Sequence, residues 1–143
     1  MSAVPLPDVD ALRAFLEEAF PQAHDTVRIL SAEPGSAVVG LTADDRHLRP
    51  GGTVSGPTLM MLADTSAYVA ILASVGLEAL AVTTHLSIDF LRKPPASSEA
   101  TAASEIVKLG RRLVVVSVRV QAGEDLVATA SVTYSRPDPS SPR

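Results

Sequence analysis

The sequence predicts an α+β domain in which one antiparallel, six-stranded sheet wraps around a single long buried helix. Residues 57–75 are apolar on nearly every side, and a helix apolar all round is a buried one. Two strand-like segments precede this helix and four follow it. Runs of strands with a helix segregated to one face give an α+β domain with an antiparallel sheet.

The chain begins with a proline-rich lead (Pro5, Pro7), after which Asp8 and Asp10 offer caps to an amphipathic helix over 9–19. Leu12, Phe15, Leu16 and Ala19 share its apolar face, and Pro21 is expected to stop it. Strands are predicted over 26–32 and 35–43 around the Pro34-Gly35 turn, with Val27 and Ile29, then Ala37, Val39 and Leu41, alternating. Residues 44–56, DDRHLRPGGTVSG, read as a polar loop in which Gly51 and Gly52 are turn residues. The central helix starts at Pro57, a residue favoured at the first helical position, behind Ser55 and Gly56, and closes at Gly76.

In the next strand Leu86, Ile88 and Phe90 alternate with His85, Ser87 and Asp89, the pattern of a sheet with one covered face. A more polar strand over 98–108 follows. Residues 112–121 place Val114, Val116, Val118 and Val120 on one face, and 125–135 alternate Leu126, Ala128, Ala130, Val132 and Tyr134 with hydroxyl residues. Residues 137–143 are expected to fray. No repeat or linker divides residues 1–143, which read as a single domain.

Composition narrows the function. With 46% hydrophobic and 20% charged residues the chain is not a disordered one. A net charge of −4 gives no general nucleic-acid footprint. The absence of cysteine excludes disulfides, thiol nucleophiles and thiolate metal sites. Three scattered histidines suggest no metal site, and His47 and His85 read as loop or surface residues. The first residues, MSAVPLPDVD, carry no basic n-region or apolar h-region, so they are not expected to be a signal peptide. The central helix is interrupted by Asp64, Thr65 and Ser66, so it reads as a core helix rather than a membrane span. A soluble, cytoplasmic protein is expected.

Asp64 is where chemistry is expected. A carboxylate on a buried helix is costly unless it is paired or hydrogen-bonded, and one removed from water is a stronger base. It lies eight residues after Gly56, about 80° round the helix, so the two can border one pocket. Backbone N–H groups at a helix start are unpaired and sit at the positive end of the dipole. Glycine there lets a carbonyl approach closely.

Several stretches carry a resemblance: the glycine-rich loop into the helix with its Asp, THLSIDFLRKP, LGRRLVVVSVRV and LVATASVTY. In this order and spacing the chain, from about residue 9 to 136, resembles the PaaI-type acyl-CoA thioesterases of hot-dog fold. The resemblance implies an acyl-CoA substrate, with coenzyme A entering only as part of it and no other cofactor. It implies that Gly56 is the oxyanion donor and that Asp64 is the general base or nucleophile. Thr83, or Thr84 by a one-residue shift, would hold the water. It also implies that Arg111 and Arg112, with Arg92 and Lys93 as similar candidates, lie near the coenzyme A phosphates, and that the active pocket forms between subunits of a homodimer or homotetramer. Two positions depart from the family pattern. Ser55-Gly56-Pro57 stands where His-Gly-Gly is frequent, and Arg49 stands where an Asn is frequent. The planar fork of Arg49 suits a substrate carboxylate or a phosphate. Two other readings are a non-catalytic acyl-CoA-binding protein and an acyl-thioester hydratase or dehydratase.

Overall fold

A computed structural model describes residues 5–137, so the tail predicted over 137–143 lies outside it beyond Pro137. Helix α1 (Val9–Ala19) is capped by Asp8, whose carboxylate accepts the Ala11 N–H at 2.8 Å, and it buries Leu12 and Leu16. Pro21 does more than stop it. Proline suits the first turn of a helix, and Pro21 opens a second, one-turn helix, α2 (Pro21–His24).

Strands β1 (Val27–Glu33) and β2 (Ser36–Leu41) follow, joined through Gly35 at φ +97°. The region predicted as a plain loop contains a 3-10 turn (Asp45–His47) and a small hairpin, β3 (Leu48–Arg49) with β4 (Thr53–Val54). Gly51 and Gly52, at φ +101° and +80°, turn that hairpin. His47 is a local cap: its Nδ1 accepts the Asp44 N–H at 2.9 Å. Helix α3 (Gly56–Val75) leads to β5 (Val82–Phe90), β6 (Ala100–Leu109), β7 (Leu113–Ala122) and β8 (Asp125–Ser135).

The main sheet has six antiparallel strands in the order β1-β2-β6-β7-β8-β5, which leaves β1 and β5 at its edges. It curls around α3, and 13 of the helix's 20 residues are buried. Although α3 is long and apolar enough to cross a membrane, here it is the core helix of the domain. Val114, Val116, Val118 and Val120 pack fully against it, as the alternation of β7 predicts. Two serines tie it to the sheet. The Ser66 hydroxyl donates to the Ala102 carbonyl at 3.0 Å and accepts from the Ser104 hydroxyl at 2.6 Å, all in the interior. One end of the helix is pinned by Ser74, whose Oγ accepts the Gly35 N–H at 2.8 Å.

The two edges differ. Helix α1 lies over β1, and the Arg13 guanidinium donates to the Ile29 carbonyl at 2.7 Å. Among the described residues β5 has no such cover: seven of its nine residues are exposed, and only Leu86 and Ile88 are half-buried. Phe90, expected on the covered face, is 49% exposed because the strand end reaches past the core. Beside this edge α3 shows an open stripe of Pro57, Met60, Met61 and Asp64, spaced as one helical face.

Candidate active site

Asp64 is half-buried and held by two hydroxyl groups. The Thr83 hydroxyl donates to Asp64 Oδ1 at 2.7 Å, and the Tyr134 hydroxyl donates to the same oxygen at 3.0 Å. Tyr134 also reaches the Asp64 carbonyl oxygen at 3.1 Å. Thr83 and Tyr134 are register partners across the β5–β8 ladder, so the sheet itself sets the two donors side by side. The second carboxylate oxygen, Oδ2, accepts no hydrogen bond among the described residues.

The Tyr134 ring stacks on Tyr68 with centroids 5.8 Å apart, and Phe20 meets Tyr68 edge-on at 6.1 Å. Burial, reinforced by the Asp64 charge, holds the Tyr134 phenol well above the usual tyrosine range. It therefore stays a proton donor to the carboxylate. A cavity of about 360 Å³ opens over Asp64, lined also by Phe20, Tyr68, Val82, Thr83 and Tyr134. Thr84 does not join this group. It sits at the irregularity between Thr83 and His85, and its hydroxyl donates to the Thr133 carbonyl at 3.3 Å.

Gly56 opens a second cavity. Ser55 is the N-cap of α3: its Oγ accepts the Thr58 N–H at 3.3 Å and lies 2.7 Å from the Thr58 hydroxyl. The helix thus begins at Gly56, one residue before the predicted start at Pro57. The Gly56 N–H, in the first turn, has no acceptor among the described residues. The Phe90 ring lies 3.4–3.8 Å from where a Cβ on Gly56 would stand. This cavity, of about 400 Å³, is lined by Arg49, Gly56, Leu59, Phe90, Arg92 and Lys93 among others.

Within one chain, then, Asp64 and Gly56 face different cavities, where the helical angle alone suggested a shared pocket. Eight residues of α3 place them roughly 12 Å apart along its axis. Thr83 and Phe90, their neighbours on β5, stand at opposite ends of that strand. Arg111 and Arg112 belong to the Asp64 end. Their hairpin leads into Val114, which pairs with Tyr134, and the Arg112 carbonyl accepts the Arg136 N–H at 2.7 Å.

The sequence profile of the thioesterase superfamily matches residues 51–135, from the β3–β4 turn to the end of β8. The chain belongs to the thioesterase superfamily. A Pseudomonas aeruginosa protein named as an esterase is 34% identical over 100 residues, covering 70% of this chain and 75% of its own length. Among solved structures, a Silicibacter protein named as a thioesterase is 42% identical with a TM-score of 0.84, covering 94% of this chain and 96% of that one. The Escherichia coli PaaI protein, from the phenylacetic acid degradation operon, is 28% identical with a TM-score of 0.75 over 87% of this chain and 95% of that one. The six-stranded sheet curled around α3 is the hot-dog fold of this superfamily.

In this superfamily chain Tyr134 is the site residue that sequence reasoning missed. It ends an inward-facing row of Ala128, Ala130 and Val132 in β8, and a hydroxyl closing an aliphatic row was the one signal available.

Proposed function

We propose that this chain is an acyl-CoA thioesterase, releasing the free acid and coenzyme A, with Asp64 as its base or nucleophile. The observation that carries the reading is the Asp64 carboxylate. It is pinned at Oδ1 by Thr83 and Tyr134 and open at Oδ2 beside a cavity. As base, Asp64 takes a proton from water while the hydroxide adds to the thioester carbonyl. The C–S bond then breaks, and the thiolate leaves to take up the proton. As nucleophile, it attacks the carbonyl and expels the thiolate to form an acyl anhydride. Water then hydrolyses the anhydride, returning the Asp64 carboxylate and the free acid and supplying the proton that the thiolate takes up. In either case the developing oxyanion needs donors, and the Gly56 N–H at the positive end of α3 is suited to this.

The two halves meet if β5 pairs with a second copy of itself. The strand is an uncovered edge with exposed ladder groups. A two-fold axis would pair it antiparallel, so that the Thr83 end of one chain meets the Phe90 end of the other. Asp64 of each chain then borders Gly56 of its mate, and the Pro57, Met60 and Met61 stripe is covered. This supports a homodimer as the unit, with a homotetramer built from two. Arg111 and Arg112, at the Asp64 end, would receive the coenzyme A phosphates.

Free-thiol release from short, medium, long and arylacetyl acyl-CoAs, in wild type and Asp64→Asn, tests the proposal. Turnover should fall at least about a hundredfold, as loss of a positioned base costs. Binding without turnover in both proteins would instead favour a non-catalytic acyl-CoA-binding role.

A further inference from the structure

Arg13, Arg28, Arg46 and Arg136 each pair with a carboxylate: Asp10, Glu99, Asp44 and Glu78. Arg49, Arg92 and Lys93 pair with none among the described residues, yet all three line the cavity of about 400 Å³ that Gly56 opens. No acidic side chain lines that cavity. The backbone fixes the three positions, while the side chains themselves are exposed. Leu48 and Arg49 pair with Val54 and Thr53, the Ser55 N–H donates to the His47 carbonyl at 2.8 Å, and the Val54 N–H donates to the Pro94 carbonyl at 2.9 Å. Hairpin, helix start and the Arg92–Pro94 segment are therefore one hydrogen-bonded frame. Three exposed cations around one cavity give it a positive potential, and an anion is drawn there.

We propose that Arg49, with Arg92 and Lys93 beside it, receives a carboxylate on the acyl group, so that the preferred substrates are thioesters of dicarboxylic acids. The inference rests on the thioesterase reading, in which the reacting carbonyl sits at Gly56. Sharing a cavity with that carbonyl decides which anion is meant. The phosphates of coenzyme A are separated from the thioester sulfur by the whole pantetheine arm, whereas a second carboxylate on the acyl chain stands a few methylenes away. Leu59 and Phe90 supply apolar wall for those methylenes. The guanidinium of Arg49 presents two parallel N–H donors to a carboxylate. An assignment of Arg92 to the coenzyme A phosphates gives way, on this reading, to one beside the acyl group.

The test compares acyl-CoAs of equal carbon count: butyryl with succinyl, hexanoyl with adipyl, octanoyl with suberyl. Wild type should favour the dicarboxylyl member of at least one pair tenfold or more in kcat/KM. In Arg49→Gln that preference ratio should fall by about thirtyfold, the usual loss for a hydrogen bond to a charged group, and Arg49→Lys should keep part of it. A wild-type preference for the monocarboxylyl member of every pair would overturn the inference. So would a ratio unchanged in Arg49→Gln, or an equal loss on both members, which would put Arg49 at the thioester or at Asp64 of a second copy. Thermal shift by adipate, hexanoate and free coenzyme A supplies a readout without turnover. Adipate, unlike hexanoate, should raise the wild-type midpoint in a way that Arg49→Gln abolishes, with protection by coenzyme A unchanged. If coenzyme A protection is lost instead, the cations serve phosphates and the inference fails. If no thioester is hydrolysed, the thioesterase reading fails, and the adipate result decides the carboxylate site separately.

Discussion

The Tyr134 hydroxyl donates to Asp64 Oδ1 over 3.0 Å, although the two residues lie on elements separated by most of the sheet's sequence. The contact leans one carboxylate oxygen on an inner strand and leaves the other without a donor among the described residues, beside the cavity. Tyr134→Phe keeps the stacking on Tyr68 and removes only the donor. It should destabilise the fold by about 1–2 kcal/mol in urea unfolding. It should also lower kcat roughly tenfold with KM little changed, since Thr83 still holds the carboxylate and only its positioning suffers.

The same residue predicts an alkaline effect. Burial first, and then the Asp64 charge, raise the folded-state Tyr134 phenol above its unfolded value near 10. Burial raises Tyr68 in the same direction. A raised group contributes its stability in full below the unfolded value and loses it as pH rises beyond. The midpoint of thermal unfolding should therefore fall above pH 10, with each phenol costing up to about 1.4 kcal/mol per pH unit. Tyr134→Phe should show a shallower decline.

Gly56→Ala separates structure from chemistry. A Cβ there would lie 3.4 Å from the Phe90 ring, an ordinary contact, so the chain should fold. The methyl group would occupy the space through which a carbonyl reaches the N–H. Hydrolysis should drop about ten- to a hundredfold, comparable to losing an oxyanion donor, while circular dichroism stays that of the wild type.

Mixing two impaired variants checks the two-chain site. A dimer with one Asp64→Asn chain and one Gly56→Ala chain has one site with both residues intact and one with neither. Refolding an equal mixture should restore roughly a quarter of wild-type activity, the share expected for random pairing about a two-fold axis. Each variant refolded alone should keep only its own low activity. No recovery on mixing would mean that both residues serve one site within a chain.

Much of the fold was readable because its signals are periodic. The valines of β7 alternate, α3 is apolar throughout and glycines mark its flanks, and each of these took its expected place. What escaped was short or long-range. The two-residue strands β3 and β4 bury too little to pattern a sequence, and they are set by hydrogen bonds to Pro94 and His47. Pro21 carried two meanings, the end of one helix and the start of another. Phe90 kept the alternation of β5 yet lies exposed, since an edge strand's pattern does not reveal where the core stops. At the site, Asp64 stood out as the lone charge of an apolar helix, though it lies half-buried, and Thr83 came only from the family resemblance, as a residue holding water rather than as a donor to Asp64. Tyr134 was not legible, because its role depends on strand register, and the division of Gly56 from Asp64 depends on how far apart the ends of β5 lie.

An apolar cylinder has no preferred angle of rotation about its own axis, because turning it exchanges one hydrocarbon surface for another. Helix α3 is close to such a cylinder, and the hydroxyls of Ser66 and Ser74 break that degeneracy. Any other rotation would strand Ser66 and Ser104 among aliphatic groups, at a cost per unpaired hydroxyl of roughly 1–3 kcal/mol. Asp64 precedes Ser66 by two residues, about 200° round the helix. Locking the serine inward therefore turns the carboxylate outward to β5 and β8, and a buried pair of hydroxyls sets the aim of Asp64.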